Sequence, residues 1–238
     1  MTIDGKKIAH EILEGLRQDI EALPRPLTLG IISCEPDFAT EKFLSIKREI
    51  ARGLGVALLE DRLPSGATTE NAGEALKELV VKTDGVIIQL PLPVSIDTEA
   101  LLRLLPSSHD VDGLGAMPSV SPPVIEAMRE ILKHYEIVLK GKRAAVVGEG
   151  RLVGTPAAKW LKEEGTEVVI VRKDDRDPEK EFKDADIIVL GAGDPGLLQP
   201  HMIREGAVIL DAGTSEAGGK LAGDADPECA KHASLFTP

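Results

Sequence analysis

Aromatic residues are scarce in this sequence, which has four Phe, one Tyr and one Trp among 238 residues. So few rings disfavour the stacking platforms used by proteins that bind single-stranded nucleic acid. The net charge of −12 at pH 7 also repels polyanions at long range. We therefore expect no nucleic-acid partner, although this charge is compatible with a local basic pocket for a phosphate.

Cysteine and long apolar runs are equally rare. Cys34 and Cys229 lie far apart and show no C-x-x-C or metal-ligand spacing, which is typical of a reducing compartment. The five histidines have no metal or triad spacing. No apolar run approaches the ~20 residues that span a bilayer, and the amino end lacks a signal-peptide core. We expect a cytoplasmic protein without a metal site or a membrane partner.

What the sequence does contain is an alternation of strands and helices. Apolar spacing predicts helices at residues 8–23, from 39 to a glycine at 53 or 55, at 68–80 and at 155–165. It predicts strands at residues 27–33, 56–63, 85–92, 142–147, 166–173, 184–193 and 206–213. Such alternation predicts an α/β fold with parallel sheets. The polar, proline-rich passage at 106–123 predicts a boundary, so we expect domains at 1–122 and 123–238 with a cleft between them.

The stretch GVIIQLPLPV, residues 85–94, reads as a buried strand that an amide interrupts. A buried glutamine needs hydrogen-bond partners. Either Gln89 caps a neighbouring turn, or it points from the carboxyl end of the strand into a polar site.

A second polar residue lies within an apolar pattern, in the predicted helix that begins at residue 39. Phe43, Ile46, Ile50 and Leu54 are spaced as one helical stripe, and Lys47 falls on the same face. Such a lysine either extends from the edge of the stripe to solvent, or is a partly desolvated amine whose lowered pKa suits proton transfer.

Two carboxylates flank a valine in the segment Asp110-Val111-Asp112-Gly113. The segment could be an acidic turn. If it is extended, however, the two side chains point in opposite directions, so that one can face a ligand while the other holds the loop.

The clearest phosphate-binding signal is VVGEGRLVGTP, residues 146–156, which follows a strand and opens a helix. Its G-x-G-x-x-x-G spacing is one residue longer than the usual dinucleotide fingerprint, so a plain strand-to-helix turn is the alternative. The next strand ends in Val171-Arg172-Lys173. Basic residues there favour NADP, because they can accommodate a 2′-phosphate where NAD enzymes often place an acid.

Together these stretches resemble the bifunctional methylenetetrahydrofolate dehydrogenase/cyclohydrolase family, known in bacteria as FolD. The resemblance covers nearly the whole chain and rests on the segments IDGKKIAHEI, KFLSIKREIARGLGV, GVIIQLPLP, DVDG, GRLVGTP, GKLAGDAD and SLFTP. It implies a folate-binding domain followed by a Rossmann-like domain, and a homodimer.

The resemblance also assigns residues. It implies that Lys47 is the catalytic lysine, that Gln89 tunes it and that Asp112 binds the pterin, with Phe43 and Pro91 as further substrate contacts. The implied cofactor is NADP, with NAD as the alternative. The cofactor-binding residues implied are Gly148, Glu149, Gly150, Arg151, Val153, Gly154, Arg172, Lys173 and Thr214.

The implied activity is oxidation of 5,10-methylenetetrahydrofolate with NADP and hydrolysis of the methenyl product to 10-formyltetrahydrofolate, in one-carbon metabolism. Two departures bear on it: Phe43 replaces the family tyrosine, and Glu149 stands where many members have arginine. The stretch after DVDG is also shorter than in most relatives. The family's glycine-rich loop and closing helix would lie beyond Pro238 and are absent from this chain.

Three alternatives stay open. One is a dehydrogenase with weak cyclohydrolase activity, and another is a catalytically silent folate- or nucleotide-binding protein. The third is an amino-acid or shikimate-type dehydrogenase, which would have no use for Gln89 beside Lys47.

Overall fold

The computed structural model describes residues 1–172, 175–217 and 220–237. The chain divides into two compact units, one of residues 9–122 and one of residues 1–8 together with the chain from residue 123. The sequence-based boundaries assigned the first eight residues to the first domain. They lie instead in the second unit, because Thr2 pairs with Phe236 and Ile3 is buried in that unit's core.

The first unit contains a three-stranded parallel sheet in the order β2-β1-β3. Its helices and strands are α1 (Gly5–Glu21, which begins in the other unit), β1 (Thr28–Cys34), α2 (Phe38–Leu54), β2 (Ala57–Leu63), α3 (Thr69–Lys82), β3 (Gly85–Ile88) and α4 (Thr98–Leu104). Its main core lies between the sheet and helices α3 and α4. The predicted strand–helix alternation is confirmed, and α4 is an addition to it.

The second unit contains a five-stranded parallel sheet in the order β10-β7-β6-β4-β5. Its elements are α5 (Pro123–His134), β4 (Arg143–Val147), α6 (Gly154–Glu163), β5 (Glu167–Val171), α7 (Pro178–Asp184), β6 (Ile187–Leu190), β7 (Val208–Asp211), β8 (Ser215–Ala217), β9 (Lys220–Ala222) and β10 (Leu235–Phe236). Strands β8 and β9 form an antiparallel hairpin. Among the described helices of both units, none has the length and apolar character that crossing a membrane would require.

The predicted apolar stripe on α2 was wrong, although Lys47 does lie on the buried face. Phe43, Ile46 and Ile50 are 42%, 52% and 40% exposed, because only a narrow strip of this helix packs against the sheet. That strip includes Leu44 and Ala51. Lys47 is three residues after Leu44 and four before Ala51, so the helical period places its stem among them.

Strand β3 holds the DVDG segment beside it through its first two residues. The N–H of Val86 donates to the carbonyl of His109 at 2.7 Å, and Val86 forms a parallel bridge with Asp110. Gly85 leaves room for the side chain of Val111, since a Cβ on Gly85 would lie 2.5 Å from Val111 Cγ1. The absence of a side chain at Gly85 therefore allows the loop that carries Asp112 to lie this close to β3.

We predict that Gly85→Ala lowers the free energy of unfolding by about 1–3 kcal/mol, because the new methyl group overlaps Val111. Urea denaturation followed by circular dichroism measures it. Gly15→Ala on helix α1 is the control, since a Cβ there meets nothing within 4 Å and alanine favours a helix. Equal stability of the two variants would show that Val111 moves aside at no cost.

Candidate active site and dinucleotide-binding turn

Lys47 is a half-buried amine with an amide as its direct partner. Its Nζ donates to Gln89 Oε1 at 2.9 Å. Burial lowers the pKa of Lys47 below its ordinary value, and the nearby carboxylate of Asp112 opposes this effect. Of the two interpretations of Lys47, the partly desolvated amine fits the structure.

Gln89 stands directly after β3, at the carboxyl end of the strand. Its backbone N–H continues the sheet by donating to the carbonyl of Ile32 at 2.8 Å. Its side-chain Nε2 donates to the carbonyl of Leu90 at 2.9 Å, which leaves Oε1 for Lys47. The polar side chain of Gln89 is thus tolerated after an apolar strand because its Nε2 bonds to the Leu90 carbonyl and its Oε1 accepts from Lys47 Nζ.

The two carboxylates of the DVDG segment have different environments. Asp110 is 3% exposed and accepts hydrogen bonds from the N–H groups of Leu114 at 3.2 Å and Gly115 at 2.8 Å, so it closes the loop. Asp112 is half-buried, and desolvation raises its pKa although Lys47 acts to lower it. Asp110 has the structural role expected of one of the two, and Asp112 shares the electrostatic environment of Lys47.

The two further substrate contacts implied by resemblance are at the surface of the first unit. Phe43 lies one helical turn before Lys47 on α2, and its ring is accessible. Pro91 is exposed and follows a cis peptide bond with Leu90.

In the second unit, the turn between β4 and α6 has the backbone geometry of a phosphate site. Gly148 has a φ of +88°, and a Cβ on Gly154 would lie 2.1 Å from the carbonyl oxygen of Gly148. A Cβ on Gly191, after β6, would lie 2.6 Å from Val153 Cγ1. Val153 precedes α6 without a side-chain cap. Pro156 has no N–H and the N–H of Thr155 donates to the carbonyl of Gly150 at 3.0 Å, so the attraction of the helix start for an anion comes mainly from the helix dipole.

The charged residues at this turn are paired with each other. Arg172, directly after β5, donates from Nε to Glu149 Oε2 at 2.6 Å and from Nη2 to Glu149 Oε1 at 2.8 Å. Gly150 and Arg151 are exposed in the turn, and Thr214 is exposed in the loop after β7. Lys173, the other basic residue predicted here, lies outside the described residues.

Comparison with known proteins agrees with this geometry. Residues 3–112 match the model of the tetrahydrofolate dehydrogenase/cyclohydrolase catalytic domain, and residues 122–238 match the model of its NAD(P)-binding domain. This chain belongs to the tetrahydrofolate dehydrogenase/cyclohydrolase family.

Individual relatives are similar over nearly the whole chain. The bifunctional protein FolD of Staphylococcus aureus (strain Newman) is 33% identical over 252 residues, which cover 99% of this chain and 88% of the relative. The bifunctional FolD structure from Campylobacter jejuni is 28% identical with a TM-score of 0.94, covering 100% of this chain and 90% of the relative. The Trypanosoma brucei FolD structure, complexed with NADP and an inhibitor, is 27% identical with a TM-score of 0.94 and the same coverage.

Membership of this family confirms several predictions made from the sequence. The protein is an enzyme of one-carbon metabolism with methylenetetrahydrofolate dehydrogenase and methenyltetrahydrofolate cyclohydrolase activities, and it binds folate and an NAD(P) cofactor. The two-domain α/β fold is confirmed as well.

Sequence reasoning missed a buried carboxylate in the NAD(P)-binding domain. Asp224 is fully buried and accepts hydrogen bonds from the N–H groups of Ala192, Gly193 and Asp194 at 2.7–3.1 Å. A Cβ on Gly213 would lie 2.2 Å from Asp224 Cγ, so the carboxylate is enclosed on that side too. The GDAD sequence contains this residue, but only the fold shows that it holds the loop after β6.

We predict that Asp224→Asn lowers the free energy of unfolding by about 1–3 kcal/mol, because the amide NH₂ presents hydrogen atoms where the loop needs an acceptor. NADP binding should weaken as well, since the carbonyl of Gly191 in this loop lies beside Gly148 of the phosphate turn. Chemical denaturation and fluorescence titration with NADP measure the two effects.

Asp226→Asn is the matched control for Asp224→Asn. It removes the same charge two residues away, and asparagine retains the acceptor that caps the N–H of Glu228. If both variants unfold at the same denaturant concentration, the three backbone hydrogen bonds of Asp224 do not hold the loop.

Proposed function

We propose that Lys47 is the proton-handling group of the cyclohydrolase step, that Gln89 sets its basicity and that Asp112 orients the pterin. The observation that carries this proposal is the 2.9 Å hydrogen bond from a half-buried lysine to an amide, beside a half-buried carboxylate. Phe43 and Pro91 contribute accessible surface for the rest of the folate.

The chemistry assigns Lys47 a definite task. Water adds to the methenyl carbon and loses one proton. The C–N5 bond then breaks as N5 gains a proton, and the hydroxyl of the adduct loses its own proton to solvent to become the formyl carbonyl. A neutral amine can accept the first proton and return it as an ammonium, which requires a lysine whose pKa is lowered toward the working pH. Burial provides that lowering, and the amide of Gln89 accepts a hydrogen bond from either protonation state.

Asp112 suits recognition of the amino-pyrimidine edge of the pterin. A carboxylate accepts two hydrogen bonds from such an edge, and these charge-assisted bonds are stronger than neutral ones. Asp110 cannot take this role, because its oxygens already accept from the loop backbone.

We propose NADP as the cofactor, held by the turn from Gly148 to Gly154 through backbone N–H groups and the start of α6. When bound, the nicotinamide supplies the hydride acceptor for the dehydrogenase step. Among the described residues, Arg172 is the cation at the end of β5 that can meet a 2′-phosphate once its ion pair with Glu149 opens, and the Trypanosoma brucei relative contains NADP. Arg151, Val153 and Thr214 line the same edge of the domain as further candidate contacts.

We also propose a cytoplasmic homodimer that binds neither nucleic acid nor membranes. The net charge of −12 opposes polyanion binding, and both cysteines are free thiols in buried positions. Sedimentation of the purified protein measures its oligomeric state.

The proposed function is tested by following absorbance during turnover of methylenetetrahydrofolate with NADP and with NAD, and during hydrolysis of the methenyl compound without a cofactor. Turnover of both folates supports it. Binding of folate without turnover of either would instead indicate a silent binding protein.

We predict that Lys47→Met lowers the rate of methenyl hydrolysis at least ~10²-fold, the contribution usual for a general acid–base group. Methionine keeps an apolar stem on the buried strip and removes the amine. Undiminished hydrolysis by this variant would contradict the assignment of Lys47.

The pH profile separates proton transfer from a structural role of Lys47. The base must be neutral, so hydrolysis should rise with pH through a pKa below the ordinary value of 10.5. The Lys47→Met variant should lose that rising limb and retain only the uncatalysed dependence on hydroxide. A reduced rate with an unchanged pH profile would indicate that another group titrates.

We predict that Phe43→Tyr raises the ratio of methenyl hydrolysis to NADP reduction. Hydride transfer needs stacked rings, which a phenyl group supports, whereas activation of water benefits from another hydroxyl one helical turn from Lys47. The added oxygen causes little strain, because the Phe43 ring is 42% exposed. Phe38→Tyr, on the same helix and 55% exposed, is the control. An unchanged ratio in Phe43→Tyr would show that the hydroxyl is dispensable.

A further inference from the structure

Glu149 and Arg172 form a two-point ion pair that joins the phosphate turn to the end of β5. Nε and Nη2 of Arg172 donate to the two oxygens of Glu149, at 2.6 and 2.8 Å. This is the planar fork by which arginine binds either a carboxylate or a phosphate. Glu149 therefore occupies the donors that a phosphate on the cofactor would use.

The position of the pair corresponds to the adenosine ribose of a bound dinucleotide. In Rossmann-type domains, the group that recognises the ribose 2′ position follows the glycine turn by some 20 residues, at the end of the second strand. Arg172 stands at the end of β5, which pairs directly with β4. An arginine there accommodates a 2′-phosphate, whereas a carboxylate there accepts a hydrogen bond from a 2′-hydroxyl.

We infer that Glu149 is a specificity-determining residue: it competes with the 2′-phosphate of NADP for Arg172 and shifts the enzyme's preference toward NAD. This inference rests on the proposed function, since it concerns the cofactor of that reaction. NADP must displace the Glu149 carboxylate, which then faces a phosphate of like charge. NAD leaves the Glu149–Arg172 pair intact, and its 2′-hydroxyl can donate a hydrogen bond to the Glu149 carboxylate.

A second carboxylate strengthens the discrimination. The backbone N–H of Arg172 donates to Asp175 Oδ2 at 2.8 Å. Glu149 is the main cause of the raised pKa of Arg172, and the negative charge of Asp175 also acts weakly on this side chain, raising its pKa. The side chains of Arg172 and Glu149 are 55% and 46% exposed, however. Exposed ion pairs open readily, so the competition disfavours NADP without abolishing its use.

The test is Glu149→Gln, which keeps the shape of the side chain and removes its charge. With methylenetetrahydrofolate saturating, the ratio of kcat/KM for NADP to that for NAD should rise by about tenfold, because a like charge no longer faces the phosphate. The increase should appear mainly as a lower KM for NADP. It should shrink in 0.5 M NaCl, where exposed charges are screened.

Glu163→Gln is the matched control. Glu163 pairs with Lys159 on the exposed side of α6, at 3.9 Å, so this variant loses the same charge from an exposed pair outside the phosphate turn. Its cofactor ratio should stay at the wild-type value. A parallel rise in the ratio for both variants would indicate a general effect of net charge and would overturn the inference.

A double-mutant cycle of Glu149→Gln and Arg172→Ala tests whether Glu149 and the 2′-phosphate compete for Arg172. Arg172→Ala should raise the KM for NADP several-fold more in the Glu149→Gln background than in the wild type, since only there is the guanidinium released from the carboxylate. Additive effects, or an unchanged ratio in Glu149→Gln, would overturn the inference. Absence of turnover with both cofactors in the wild type would instead contradict the proposed function.

Discussion

The site in the first unit depends on one constraint: the amine of Lys47 is partly removed from water, and the free energy of this desolvation must be offset by polar partners. A buried ammonium is unfavourable unless polar partners surround it, and here the partners are one amide and one nearby carboxylate. Gln89 and Asp112 come from different parts of the chain, yet both depend on β3: Gln89 follows the strand directly, and the DVDG loop pairs with its first residues. A shift of this strand would move both groups away from Lys47, which is on α2.

Both units use a buried aspartate to stiffen the loop beside the site. Asp110 accepts two backbone hydrogen bonds, and Asp224 accepts three. Each carboxylate takes the place of solvent for N–H groups that regular structure does not pair, so the loops are fixed before any ligand arrives. The oxygens of these aspartates are therefore occupied by backbone N–H groups, which supports the proposal that Asp112 is the carboxylate that recognises the pterin.

Sequence periodicity predicted the parallel sheets because buried strands and glycine turns are local signals, and it located Gln89 because a polar residue in an apolar strand demands an explanation. It was wrong about α2, where Phe43, Ile46 and Ile50 have core-like spacing but remain exposed. Hydrophobicity does not tell how wide a strip of a helix the sheet will cover. The Rossmann-like turn could be predicted from its glycines. Asp224, in contrast, is distant in sequence from the loop of Ala192, Gly193 and Asp194, and only the fold brings its carboxylate to their N–H groups.

The ion pair of Glu149 and Arg172 shows why cofactor preference cannot be predicted from each charged residue taken alone. Taken from the sequence, an arginine after β5 favours a 2′-phosphate and a glutamate in the phosphate turn opposes it, with no means of weighing one against the other. The structure makes them a single unit, because the carboxylate lies in the fork of the guanidinium. The free Arg172 fork and the paired one are then two states of one site, and the 2′-phosphate binds only to the first. On the inference drawn above, cofactor preference depends on the strength of the Glu149–Arg172 ion pair, and that strength depends on salt because both side chains are exposed.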